Sequence, residues 1–172
     1  MLVRSPSRAP TLIIGYGNPS RGDDALGPSA LDEIERRMAR HSDWGQIELV
    51  TDFQLQIEFV TDLFERRQVI FIDADVDVDG DVDRDKPFSF GPLVAKADAS
   101  FTSHALSPAS LLMVYRNYYG CDAPPCFLLG IRAYEFELGT PISAAARDNL
   151  DAAMTMLEQW LNLNCSRQIS HA

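Results

Sequence analysis

Carboxylates stand at the ends of predicted strands, and a histidine follows them in a loop. Asp23 and Asp24 lie side by side in GYGNPSRGDDALG, residues 15–27. Asp73 closes the apolar run VIFI at 69–72, and His104 belongs to SHALSP at 103–108. Two carboxylates and one neutral imidazole suit a divalent transition metal, and they leave coordination positions open for a group brought by another molecule. Each residue also has a plainer use. Aspartate favours helix N-caps and first turns through backbone amides and the helix dipole, and a lone Asp or His at a strand end commonly organises a loop by hydrogen bonding. One acid suffices for a cap, which leaves the other of Asp23 and Asp24 to bind something positive.

Several better-known motifs are approached and missed. Gly15-x-Gly17 after a strand suggests a dinucleotide fingerprint, but its third glycine falls on Ser20, and Asp23 and Asp24 would repel a pyrophosphate. Asp52 lies well beyond the usual spacing of about 20 residues for a ribose-binding acid. Nucleotide binding is therefore a minor reading. Asp75, Asp77, Asp79 and Gly80 match the opening of a calcium loop, yet the twelfth position is Lys86, and a strand leads in where a helix should. A solvated acidic loop over 75–85 is expected instead. There is no H-E-x-x-H and no G-x-S-x-G. Cys121, Cys126 and Cys165 form no C-x-x-C pair and read as ordinary free thiols, Cys165 near a frayed terminus. Unpaired thiols suit a reducing cytoplasm.

The elements that must hold Asp24, Asp73 and His104 follow from periodicity. Leu12, Ile13 and Ile14 form a short apolar strand, and Ala25, Leu26, Leu31, Ile34 and Met38 recur at helical spacing after it. The loop between them is a strand-to-helix crossing. A second strand is expected at 47–50, ending near Asp52, followed by a helical segment from Gln54 in which Leu55, Phe59, Val60 and Leu63 share a face. The apolar, β-branched run at 69–72 belongs at the centre of the sheet. The connection to a fourth strand at 88–93 is too short for a parallel crossover, so that strand should be antiparallel and near an edge. Ser107-Pro108 reads as N-cap and first turn of a helix reaching about Tyr119. A fifth strand at 127–131 precedes a final helix capped by Ser143, with Leu150, Met154, Leu157 and Leu161 on one face. If the first and third strands are neighbours, Asp24 and Asp73 meet at a topological switch point. The ten residues 94–103 reach at most about 33–36 Å, enough to bring His104 there.

Composition sets the frame. The 172 residues suit one domain over 11–163, between a loose tail at 1–10 and another at 164–172. Such a domain buries about 70% of its unfolded surface without stapling. A net charge of −10 disfavours nucleic acid and anionic membrane as partners. No apolar run approaches the roughly 20 residues that span a bilayer, and the first ten residues do not form a signal peptide.

Taken together, GYGNPSRGDDALG, VIFIDAD and SHALSP resemble, in order, three motifs of the hydrogenase maturation endopeptidases. These enzymes remove a C-terminal extension from the large subunit of [NiFe] hydrogenases. The resemblance spans nearly the whole domain and includes LLGIRAYEFELGTPIS, 128–143. It implies a three-layer α/β/α domain with a mostly parallel five-stranded sheet, and a nickel-recognising site. By position that site maps to Asp24, Asp73 and His104. It further implies nickel supplied by the precursor, no organic cofactor, and the large-subunit precursor as partner. DFQLQIE at 52–58, which departs from the Asp-Gly-Gly-Thr type of many members, together with His-x-Leu-Ser-Pro, is similar to the branch serving soluble, bidirectional, NAD-reducing hydrogenases. Gln54 and Glu58 then become candidates for the cleft or for precursor recognition, against the plainer reading of an exposed helix start. Arg21 and Asn18 become candidates for orienting the peptide, against an ion pair with Asp23 or Asp24 and a self-bonded turn. A binding module that recognises the precursor without cutting it would use the same three ligands.

Overall fold

The computed structural model describes residues 8–76, 86–96 and 106–165. Five strands form one sheet: β1 (Thr11–Tyr16), β2 (Ile47–Asp52), β3 (Gln68–Asp75), β4 (Phe88–Pro92) and β5 (Cys126–Arg132), in the order β2-β1-β3-β5-β4. All pairings are parallel except β4 with β5. The antiparallel edge strand and the central position of the 69–72 run are as the loop length and apolar pattern required.

Alternation along the strands divides two apolar layers. Ile13, Ile70, Ile72, Leu129 and Ile131 face α1 (Leu26–Met38) and α4 (Ala144–Cys165). Leu12, Ile14, Tyr16, Val69 and Phe71 face α2 (Phe59–Asp62) and α3 (Pro108–Tyr119). Burying each such Leu, Ile or Phe contributes about 1.5–3 kcal/mol, so the strands can only pair in registers that keep both layers filled. The result is a three-layer α/β/α fold.

The caps are local and occur where the sequence puts them. Ser107 Oγ accepts from Ser110 N at 3.1 Å, with Pro108 in the first turn and Gly120, at φ 69°, ending α3. Ser143 Oγ accepts from Ala146 N at 3.2 Å to start α4.

Three expectations need correction. The helix expected from Gln54 shrinks to the single turn α2, preceded by i→i+3 bonds such as Phe59 N to Gln56 O at 3.2 Å. Leu55, Phe59, Val60 and Leu63 are nevertheless all buried together in the α2/α3 layer, so the apolar spacing reported burial but not helix length. Cys165 is not frayed: it is 1% exposed at the end of α4, beside Thr11 and Gln68. Of the loose tail expected at 1–10, residues 8–10 are held in place, and residues 1–7 lie outside the described residues. Arg8 Nη1 donates to Thr61 O, Arg66 Nη1 donates to Ala9 O at 2.8 Å, and Pro10 O accepts from Arg67 N at 2.8 Å. Most of the acidic loop expected over 75–85, residues 77–85, lies outside the described residues, and Asp75 itself is the last residue of β3.

Candidate functional site

The carboxyl ends of β1 and β3 lie side by side, and strand order reverses between them. Beyond Tyr16 the chain must leave the sheet and enter α1 at once. Gly17 makes this possible: its φ is 139°, and a Cβ there would meet Asp24 O at 1.9 Å. Its amide donates to Asp52 O at 3.1 Å, tying the turn to the end of β2. Asn18 Oδ1 accepts from Ser20 N at 2.9 Å, the self-bonded turn that its residue type favours. Asn18 N donates to Asp24 Oδ2 at 3.0 Å, so the turn wraps the Asp24 carboxylate.

The two adjacent acids divide their work differently from a cap and a free ligand. Asp23 is 0% exposed and accepts from Tyr134 N (2.8 Å), Glu135 N (3.0 Å), Ser143 N (2.7 Å) and Ser143 Oγ (3.0 Å). Burial alone would push its carboxyl up, but the Ser143, Tyr134 and Glu135 amides and the Ser143 hydroxyl together hold it below the ordinary aspartate value. Asp23 therefore clamps the 134–143 loop onto the turn. No side-chain cap bond is made at the start of the 3₁₀ turn Gly22–Ala25 or at the start of α1. Neither acid is a cap. Arg21 pairs with neither of them: its Nε donates to Phe136 O at 3.1 Å.

Asp73 stands opposite the end of β1. Gly15 pairs with Ile72, so Tyr16 and Asp73 follow on neighbouring strands and share the α2/α3 face. Burial pushes the Asp73 carboxyl up to about 7; the bonds from Tyr16 and the Ala74 amide work against this, while the charges of Asp24 and Asp75 add to it. Burial first, then the charge and hydrogen bond of Asp73, raises the Tyr16 hydroxyl well above its ordinary value. On the other flank, Asp73 pairs with Gly130, and the room a side chain would take there is occupied by Asp75 and Ser89. A Cβ on Gly130 would come within 2.8 Å of Asp75 Oδ2.

The structure thus brings Asp24 and Asp73 near each other at the carboxyl ends of β1 and β3, where the Asp24 charge acts on Asp73. His104 lies in 97–105, outside the described residues, although Ala95 and Leu106 before and after that segment pack in the α2/α3 layer. Among the described residues, no three His, Cys, Asp or Glu side chains are close enough together to hold a metal ion. Glu58 lines a cavity of about 410 Å³ with Asp52, Gln56, Phe59 and Asp62, next to the end of β2. Gln54 is exposed and does not line it. Cys126 and Cys165 are not poised for attack: burial pushes Cys126 up to about 12 and also raises Cys165. Sequence reasoning missed Tyr16 and the closeness of Asp75. No spacing along the chain links Tyr16 to Asp73; only the β1/β3 register sets them side by side.

A doubly covered, mostly parallel sheet with two carboxylates at its switch point defines the class: an α/β/α domain whose carboxyl edge carries the site. The fold is similar to those of solved hydrogenase maturation proteases. A [NiFe] hydrogenase maturation protease HycI from Thermococcus kodakarensis KOD1 matches with a TM-score of 0.64 and 16% identity, over 91% of this chain and 94% of that one. The hydrogenase maturating endopeptidase HybD from E. coli matches with a TM-score of 0.63 and 18% identity, over 89% and 92%. A hydrogenase 2 maturation peptidase from Thaumarchaeota archaeon SCGC_AB-539-E09 matches with a TM-score of 0.58 and 22% identity, over 90% and 99%. No protein-family model matches the sequence, and no curated protein matches it at a significant level.

Proposed function

We propose that the protein is an endopeptidase that removes the C-terminal extension of a nickel-loaded [NiFe]-hydrogenase large-subunit precursor. The observation that carries this reading is the meeting of Asp24 and Asp73 at the switch point of a fold similar to those of hydrogenase maturation proteases. The chain spans nine-tenths of these structures, so the likeness extends over the whole domain.

In this reading nickel arrives as part of the substrate, held by precursor thiolates, and serves as the recognition signal. Asp24, Asp73 and His104 supply two carboxylates and an imidazole toward it, a donor set suited to a divalent transition metal. Asp24 is preset by the Asn18 amide. With its carboxyl held near 7, Asp73 can be ionised as a ligand or protonated as an acid at neutral pH. The cavity beside Glu58 offers room for precursor chain near the scissile bond. The segment at 52–58 and the His-x-Leu-Ser-Pro pattern favour a soluble, NAD-reducing hydrogenase as the client, and a cytoplasmic setting accords with that. Among the described residues, no helix is long and apolar enough to cross a membrane.

The test is the intact mass of a nickel-loaded large-subunit precursor before and after incubation with the protein, alongside nickel-free precursor. A defined C-terminal loss only with nickel is the expected result. No loss from the cognate loaded precursor would replace the enzyme with a non-cleaving, precursor-binding maturation chaperone. Loss regardless of nickel would keep the enzyme and remove metal recognition.

A further inference from the structure

Asn18 sits where the chain leaves β1 and doubles back toward α1, and it is bonded through side chain, carbonyl and amide alike. Its side-chain Oδ1 accepts from Ser20 N at 2.9 Å, and its carbonyl accepts from Arg21 N at 3.1 Å. These two bonds fold residues 18–21 into one turn. Pro19 supports it, because its ring presets φ and it has no amide to compete with that of Ser20 for Oδ1. Arg21 O then accepts from Asp24 N at 3.1 Å, which returns the chain to the point where Asn18 N donates to Asp24 Oδ2 at 3.0 Å. Gly17 closes the loop from the other side: a Cβ there would meet Asp24 O at 1.9 Å and Asp24 Oδ1 at 3.3 Å. The Asp24 carboxylate thus lies against a turn whose shape the Asn18 side chain holds.

We propose that Asn18 is a positioning residue: by binding the Ser20 amide, its side chain keeps the turn that aims the Asn18 amide at Asp24, and so fixes that carboxylate toward the metal carried by the precursor. This rests on the endopeptidase reading above. A carboxylate turns easily about its terminal bond. A donor on Oδ2 selects one orientation and leaves Oδ1 for the metal, as hydrogen bonds to metal-binding carboxylates do generally. The aiming amide belongs to the backbone, so no substitution of Asn18 deletes it. What a substitution deletes is the side-chain acceptor that sets its direction. Asparagine and aspartate both accept from the amide two residues on, whereas alanine cannot. Aspartate lacks the side-chain NH2, which separates a turn former from a residue that touches the peptide.

The test compares Asn18→Ala and Asn18→Asp with wild type in three readouts: kcat/KM for nickel-loaded precursor, affinity for nickel-free precursor, and the orientation of Asp24 in crystal structures. With an active wild type, Asn18→Ala should lower kcat/KM about 10–100-fold while affinity for nickel-free precursor stays unchanged, and Asn18→Asp should recover most of the loss. An Asn18→Ala value within about twofold of wild type, or a matching loss of affinity for nickel-free precursor, would overturn the proposal. So would an Asn18→Asp as slow as Asn18→Ala with Asp24 in its wild-type orientation, which would make the Asn18 NH2 a direct contact instead. A wild type that cleaves nothing overturns the endopeptidase reading. Asp24 then decides the positioning role: a rotated carboxylate in Asn18→Ala upholds it, and an unmoved one overturns it.

Discussion

At the scale of single residues, neighbours in sequence have opposite duties. Asp23 is sealed in the protein and satisfies three amides and a hydroxyl, whereas Asp24 is half-buried at the crevice. Asp24→Ala, Asp73→Ala and His104→Ala should each abolish precursor processing with the far-UV circular dichroism unchanged; full activity in two of them would dismiss the cluster. Asp23→Ala should instead unfold more easily, by at least about 3 kcal/mol, because it strands buried donors that had bonded to a charge. Urea denaturation measures this. The Asp23 carboxyl is depressed in the folded state, so its stabilisation is present above the unfolded value near 4 and is lost as pH falls through the lower folded value. Asp73 has the opposite sign. Its folded value of about 7 lies above the unfolded value, so ionising it costs stability, and the cost grows between about pH 4 and 7. Asp73→Asn should therefore be more stable than wild type at pH 8, by about 4 kcal/mol, with no advantage below pH 4. Parallel denaturation curves at the two pH values would check it.

At the scale of elements, the crevice depends on how closely α1 lies against β1. Gly15 would place a Cβ 2.5 Å from Gly27 O, and Gly27 one 2.2 Å from Tyr16 O. No L side chain fits either gap, and the obstructing atoms are backbone. Gly27→Ala should push α1 off the strand, costing about 1–3 kcal/mol or more, and should displace both Asp24 and Tyr16. Precursor processing should fall along with the melting temperature, in contrast to the ligand substitutions. Helix α2 shows the limit of element prediction. The spacing of Leu55, Phe59, Val60 and Leu63 is helical, but a stretch bonded i→i+3 buries the same four residues.

At the scale of the whole molecule, the sheet carries two cores that share its strands. α1 and α4 cover one and α2 and α3 the other, with β1, β3 and β5 contributing to both. One cooperative unit over 11–163 should result. Trp44 and Trp160 both belong to the α1/α4 side, so tryptophan fluorescence reports that layer while far-UV circular dichroism reports all helices. Their urea transitions should coincide, and separate midpoints would divide the domain. Ala9 and Cys165, near the two limits of the described residues, are drawn into this unit. Arg66, its side chain 2% exposed, pairs with Glu48 at 2.7 Å and bonds Ala9 O, and Cys165 sits against Thr11 and Gln68.

The sequence alone determined those features that depend on neighbours a few residues apart. The strand-to-helix crossing at 15–27, the apolar runs, the Ser107-Pro108 and Ser143 starts, and the antiparallel fourth strand all follow from local periodicity, capping chemistry or loop length. So does the placing of Asp24 after the first strand and of Asp73 near the end of the third, although that strand runs on to Asp75. Tertiary structure decided which of two identical acids is structural, since the donors on Asp23 lie 111 to 120 residues away. It also decided that Tyr16 and Asp73 are neighbours on one face of the sheet, because strand register, not spacing along the chain, brings them together. A hydrogen bond between distant segments leaves no periodic trace in the sequence, and only the packed sheet reveals which groups it has left without water.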